Sequence, residues 1–113
     1  MSDNINPDHY KNNSIQLEPF VLCSAFPFIG GNVLKYVIRY KDKNGVEDLR
    51  KALRYLDMMD VEDTFTNSKQ DILLELWAKY SNNGLISNAV FSADPFFRVL
   101  RDIIISEIDH AGN

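Results

Sequence analysis

"GGNVLKYVIRYKDKNGVEDLRKALRYL", residues 30–56, carries seven basic and three acidic side chains in a 113-residue chain whose formal net charge is −4. Two helix-period runs flank "KDKNG" in this stretch, and the layout of their polar edges decides both the fold and the candidate site. With Asn32 as origin on a helical wheel, Lys35, Tyr36 and Arg39 fall within about 60° of it. Ile29, Val33, Leu34, Val37, Ile38 and Tyr40 fill roughly the next 180°. A solvated helix face usually covers about half the circumference, so this narrow wedge on a helix over 28–41 predicts a seam facing a cleft. Gly30 and Gly31 precede the wedge at the N-terminal end of the helix, where unpaired N–H groups and the helix dipole favour an anion. The alternative for the pair is close packing between helices. Neither a Walker loop nor a dinucleotide fingerprint is present.

Along the second run, a helix over 46–59, Val46, Leu49, Ala52, Leu53, Leu56 and Met59 form the core stripe. Asp48, Lys51 and Tyr55 share the edge beside it. Asp48 with Lys51 or Arg50 also fits an ordinary surface pair, worth a few tenths of a kcal/mol. Asn44 with Glu47 three residues on has the pattern of a capping box.

Outward from this centre the periodicity stays helical, with no sustained alternation of period two. Residues 1–14 form a polar arm with a turn at Asn6-Pro7, and a short helix over 15–25 must hold Pro19 in its first turn. Ser68 is placed to cap "KQDILLELWAKYS", and Asn83-Gly84 ends that helix. The last helix begins near Asp94 with Pro95 at its first position and an apolar stripe of Phe96, Val99, Leu100, Ile103, Ile104 and Ile108. The Ile103, Ile104, Ile105 triple covers more than one face, which points to a central helix or one shared with another subunit. The expectation is a single all-α domain, a compact helical fold of four to five helices around a central helix pair, assembled as a homo-oligomer. Its parts are the arm 1–14, a core 15–59 and C-terminal helices over 60–113.

Composition excludes several classes. The chain is 45% hydrophobic without an apolar run of about 18 residues, so no membrane partner is expected. The polar start "MSDNINPDHYKNN" has no apolar signal core, so a cytoplasmic location is expected. Cys23 stands alone, and His9 and His110 lie a hundred residues apart, so no disulfide, metal or cofactor is expected. Charge is segmented: residues 32–56 carry +4 and residues 57–113 carry −6. Duplex nucleic acid needs a broad basic surface and would be repelled by the acidic half. A small phosphorylated ligand needs only a few cations around one pocket.

"NPDHYK", then "GGNVLKYVIRY", then "EDLRKALRYL" occur in order, and together they resemble the SaV-like family of small phage proteins over residues 6–59. The family's shared motifs are an Asn/Lys-Pro-x-His-Tyr opening, a Gly-Asn-x-x-Lys-Tyr-x-x-Arg helix and an Asp-Leu-x-Lys-Ala-x-x-Tyr helix. The resemblance implies a phage protein acting in the host cytoplasm, with relatives that include a sensitiser to abortive infection and a longer nucleotide kinase without a P-loop. Carried over by position, it marks His9 and Tyr10, then Gly31, Asn32, Lys35, Tyr36 and Arg39, then Asp48, Lys51 and Tyr55 as ligand-binding. His9, Asn32, Lys35, Arg39 and Lys51 are the expected direct contacts, with Tyr10, Tyr36 or Tyr55 against a base. The chain lacks the kinase-like relative's N-terminal extension and adds an acidic C-terminal half, so kinase activity is not inherited.

Three functions follow as expectations. The first is a nucleotide-phosphate-binding module that sequesters a nucleotide-derived host immune signal. The second is a kinase-like phosphotransfer enzyme, with His9 moving a proton and Asp48 as the carboxylate that the resemblance supports near the motif helices. The third is a binder of a host defence protein through Ile103, Ile104, Ile105 and Trp77. The binding module ranks first, and no catalytic residue is assigned.

Overall fold

Proline and glycine punctuate the helices of the core. The computed structural model describes residues 18–111 except 82, 91 and 93. Pro19 opens α1 (Pro19–Ser24), Pro27 stands at the N-cap of α2 (Phe28–Arg39), and Gly45 at the N-cap of α3 (Val46–Asp57). Each proline supplies a fixed φ where a helical N–H would lack a partner. A 3-10 turn (Val61–Thr64) then leads to α4 (Ser68–Tyr80), α5 (Gly84–Val90) and α6 (Phe96–Ala111). Regular structure among the described residues is all helical, with six α-helices and no strand.

The central pair is α2 and α3, packed along their length and joined by a tight turn. Gly45 has φ 58°, a backbone state that glycine adopts without a Cβ penalty, and its N–H donates to the Tyr40 carbonyl at 2.7 Å. This corrects the expected cap. Because the chain enters α3 from Gly45, Asn44 turns its backbone N–H and side-chain amide toward Asp48, and Glu47 pairs with Arg50 instead.

Two further ends differ from expectation for local reasons. Asn67, not Ser68, caps α4: its side chain accepts from the Gln70 N–H at 2.8 Å while the Gln70 side chain accepts from the Asn67 N–H at 2.9 Å. Gln70 then donates to the Ala25 carbonyl at 3.1 Å, tying α4 to the α1–α2 elbow. Asn83 starts a helix where an ending was expected, α4 having already stopped at Tyr80. Its carboxamide accepts from Ile86 N–H at 3.1 Å, capping α5, and donates to the Val37 carbonyl at 2.8 Å near the end of α2, where helical carbonyls lack their own partners.

Leu22, Val33, Leu34, Val37, Leu49, Ile86, Leu100 and Ile104 are fully enclosed, so α1, α2, α3, α5 and α6 share one core. Each such side chain contributes about 1.5–3 kcal/mol relative to exposure. Of the isoleucine triple, only Ile104 is fully buried, and Trp77 also belongs to the core. Tyr40 faces α6, where its hydroxyl donates to Glu107. Among the described residues no helix is long and apolar enough to cross a membrane.

The glycine pair allows close packing. A Cβ on Gly30 would lie 3.1 Å from Cζ of Phe97, and one on Gly31 would lie 2.9 Å from the Cys23 carbonyl oxygen. Phe97 is a side chain and can yield slightly, whereas the Cys23 carbonyl belongs to α1 and cannot move alone. Gly31→Ala is therefore expected to destabilise by about 1–3 kcal/mol despite alanine's higher helix propensity, and Gly30→Ala by less. Thermal melts of the two variants check the order; Gly31→Ala melting at or above the parent would contradict it.

Candidate functional site

Tyr36 on α2 and Tyr55 on α3 meet across the central helix pair, with centroids 6.1 Å apart and planes inclined by 22°. Phe28, in the first turn of α2, places its ring edge-on to Tyr55 at 6.1 Å. The three rings form a row because 28, 32, 35, 36 and 39 recur on one face of α2, while 51 and 55 share one face of α3. Around this row lie three cations: Lys35 Nζ is 4.6 Å from the Tyr36 centroid, Arg39 Cζ 5.0 Å and Lys51 Nζ 5.7 Å.

Arg39 has a counter-charge. Its Nε donates to Asp48 Oδ2 and its Nη2 to Asp48 Oδ1, both at 3.3 Å. Asp48 also accepts from the Asn44 backbone N–H at 3.2 Å and the Asn44 side-chain amide at 3.4 Å. Burial would raise the Asp48 pKa, but the hydrogen bonds from Arg39 and Asn44, with the Arg39 charge, outweigh it and hold the carboxyl below the usual range. Asp48 has no exposed side-chain surface, whereas that of Arg39 is 36% exposed. Asp48, marked by the resemblance but not among the expected direct contacts, uses its four bonds to fix the Arg39 guanidinium beside Tyr36.

Lys35 and Lys51 have no carboxylate within 4.0 Å among the described residues. Lying 4.6 and 5.7 Å from one centroid, the two ammonium groups are at most about 10 Å apart, where two like charges cost roughly 0.4 kcal/mol in water and about 1.7 kcal/mol at an effective dielectric of 20. Cation–π contact with Tyr36 offsets about 0.5–1 kcal/mol for each cation. A di- or polyanion between the lysines would reverse the repulsion.

The expected anion cradle at Gly31 does not form, since its N–H donates to the Pro27 carbonyl at 2.8 Å inside the helix. Asn32 lies beside Lys35, with its side-chain amide donating to the Phe28 carbonyl at 2.8 Å. His9 and Tyr10 lie outside the described residues. Of the expected set, the fold therefore gathers Asn32, Lys35, Tyr36, Arg39, Lys51 and Tyr55 on one face. Phe28 was missed, although its position four residues before Asn32 puts it on the same side. Burial pushes the Cys23 thiol up to about 11, against a smaller opposing effect of the Lys35 charge, so it is protonated at neutral pH.

Other hollows suit an anion less well. One of ≈ 300 Å³ between α4, α5 and the start of α6 includes Asp71, Glu75 and Asp94 in its lining. Another, at the start of α6, contains Arg98 and Arg101 but also Asp57 and Asp60, with Arg101 Nη2 2.7 Å from Asp57 Oδ1.

The depressed Asp48 pKa has a defined stability signature. A carboxyl whose folded pKa lies below its unfolded value, about 3.9, stabilises the fold above that value, and the contribution is lost as pH falls through the folded pKa. Asp48→Asn should cost about 2–3 kcal/mol at pH 7, below the range for a fully buried pair because Arg39 is partly exposed. Chemical denaturation at pH 7 and pH 3 should show the gap between parent and variant narrowing in acid; a pH-independent gap would contradict the ion-pair account.

Comparison with known proteins gives a local match. Residues 5–57, just under half the chain, match the model of a family described as protein of unknown function, DUF3310. No curated protein and no solved structure matches the chain. The matched stretch covers α1, α2 and α3, and so contains every residue of the cationic face.

Proposed function

We propose that the α2–α3 face binds a nucleotide-type phosphorylated small molecule and holds it without transferring the phosphate. One observation carries this reading: Lys35 and Lys51 converge with Arg39 on a single tyrosine ring, and only Arg39 has a carboxylate partner among the described residues. An anion seated among them would add attraction to a cluster whose repulsion is otherwise offset by the contacts with Tyr36. Retention is favoured over transfer because Asp48, the carboxylate that the family motif marks, is enclosed by Arg39 and Asn44 and is committed to them. The SaV-like resemblance supplies the setting, a phage protein sequestering a nucleotide-derived host immune signal in the host cytoplasm. Assembly into a homo-oligomer belongs to the same proposal, with exposed Met58, Val61 and Phe65 as apolar contact area away from the cations.

Calorimetry with nucleoside di- and triphosphates and cyclic dinucleotides tests the reading. At least one should bind with Kd well below millimolar. Lys35→Ala and Lys51→Ala should each weaken it about tenfold, or ~1.4 kcal/mol, and the bound nucleotide should be recovered unchanged. No binding tighter than about 1 mM, about −4 kcal/mol, would defeat the proposal. Sedimentation at about 100 μM protein should show an oligomer. A monomer would remove that part.

A further inference from the structure

The cationic face holds phosphate in this account, but its own rings offer a base little room. Tyr36 already lies against Tyr55 and under three cations, and Tyr55 also receives the edge of Phe28. An open apolar surface continues beyond Lys35. A groove of ≈ 480 Å³ runs between α1 and the first turns of α2, with Phe20 and Phe28 at its mouth, Cys23 and Gly31 along it, and Asn32 and Lys35 at its rim. Phe20 is 77% exposed and Phe28 73%, so two large aromatic surfaces remain in solvent where the chain turns at Pro27.

Resting on the phosphate reading above, we propose that this groove receives the nucleobase of the ligand, stacked on Phe28 and Phe20, while Lys35 at its rim passes the phosphates to Lys51 and Arg39. Two residues join the halves of the site. Lys35 belongs both to the groove rim and to the cation cluster, and Phe28 both to the groove mouth and to the aromatic row. A flat base fits an apolar groove through its π-face, and the charged tail leaves at the end where the cations stand. The same layout disfavours a purely apolar occupant, which would leave Lys35 and Lys51 unneutralised. The site is thus built for nucleoside phosphates in preference to simple polyphosphates. Because aromatic stacking supplies the contact, the choice among bases is weak.

The test compares ATP with tripolyphosphate, which carries the same phosphate chain without the nucleoside. For the full chain, calorimetry should give ATP a Kd at least tenfold lower than that of tripolyphosphate. Phe20→Ala should remove most of that preference while shifting the tripolyphosphate Kd by less than about threefold; Phe28→Ala should also remove most of it, and both variants should fold because the two side chains are exposed. Saturation-transfer NMR on ATP should place the strongest contact at the adenine H2 and H8 protons, and this contact should fade in Phe28→Ala. Equal affinity for ATP and tripolyphosphate overturns the groove assignment while leaving the phosphate site standing. An ATP preference that survives both phenylalanine changes also overturns it, as does a change of sedimentation in Phe28→Ala with the ATP preference intact, which would assign the groove to a second copy of the chain. If neither probe binds, both proposals fall.

Discussion

An enclosed carboxylate must be surrounded by donors or lose its charge, and Asp48 meets this demand by binding α2, α3 and their connecting turn at one point. Arg39 comes from the last turn of α2, Asn44 from the turn, and Asp48 from the first turn of α3. Its ion pair and hydrogen bonds therefore fix the relative register of the two helices. Once that register is set, Tyr36 reaches Tyr55, and Lys35 and Lys51 approach the same ring from different helices. The candidate site is a consequence of how this charge is buried.

The remainder of the molecule supports the central pair from behind. Asn83 accepts from the start of α5 and donates to the end of α2, and Gln70 links α4 to the α1–α2 elbow. The glycine pair brings α1 and the Phe97 ring within contact distance of α2, which also shapes one wall of the groove beside Lys35. The cations and the aromatic row lie along the seam where α2 meets α3. Several carboxylates of the acidic C-terminal half, Asp71, Glu75 and Asp94 among them, line a different hollow.

Much of the fold could be read in the sequence because its punctuation is local. Pro27 and Gly45 mark where α2 and α3 begin, and the wedge of Asn32, Lys35, Tyr36 and Arg39 follows from helical spacing alone. Helix α5 was hidden because "GLISNAV" spans only seven residues and Asn-Gly usually reads as an ending. The role of Asp48 was hidden for a different reason. Arg39 lies nine residues earlier, a spacing that no single helix brings together, so only the geometry of the Gly45 turn reveals the pair. Phe28 was legible in principle from its position one helical repeat before Asn32, but its neighbour Tyr55 is on another helix.

Whether a phosphate chain settles between Lys35 and Lys51 can be mapped directly by following ¹H–¹⁵N resonances, including arginine Nε, while tripolyphosphate is added to the full chain. The account predicts saturable shifts in α2 and α3 around residues 32–39 and 48–55, with Arg39 Nε moving and Arg101 Nε still. Shifts centred on Arg98 and Arg101, or none at millimolar ligand, would contradict it.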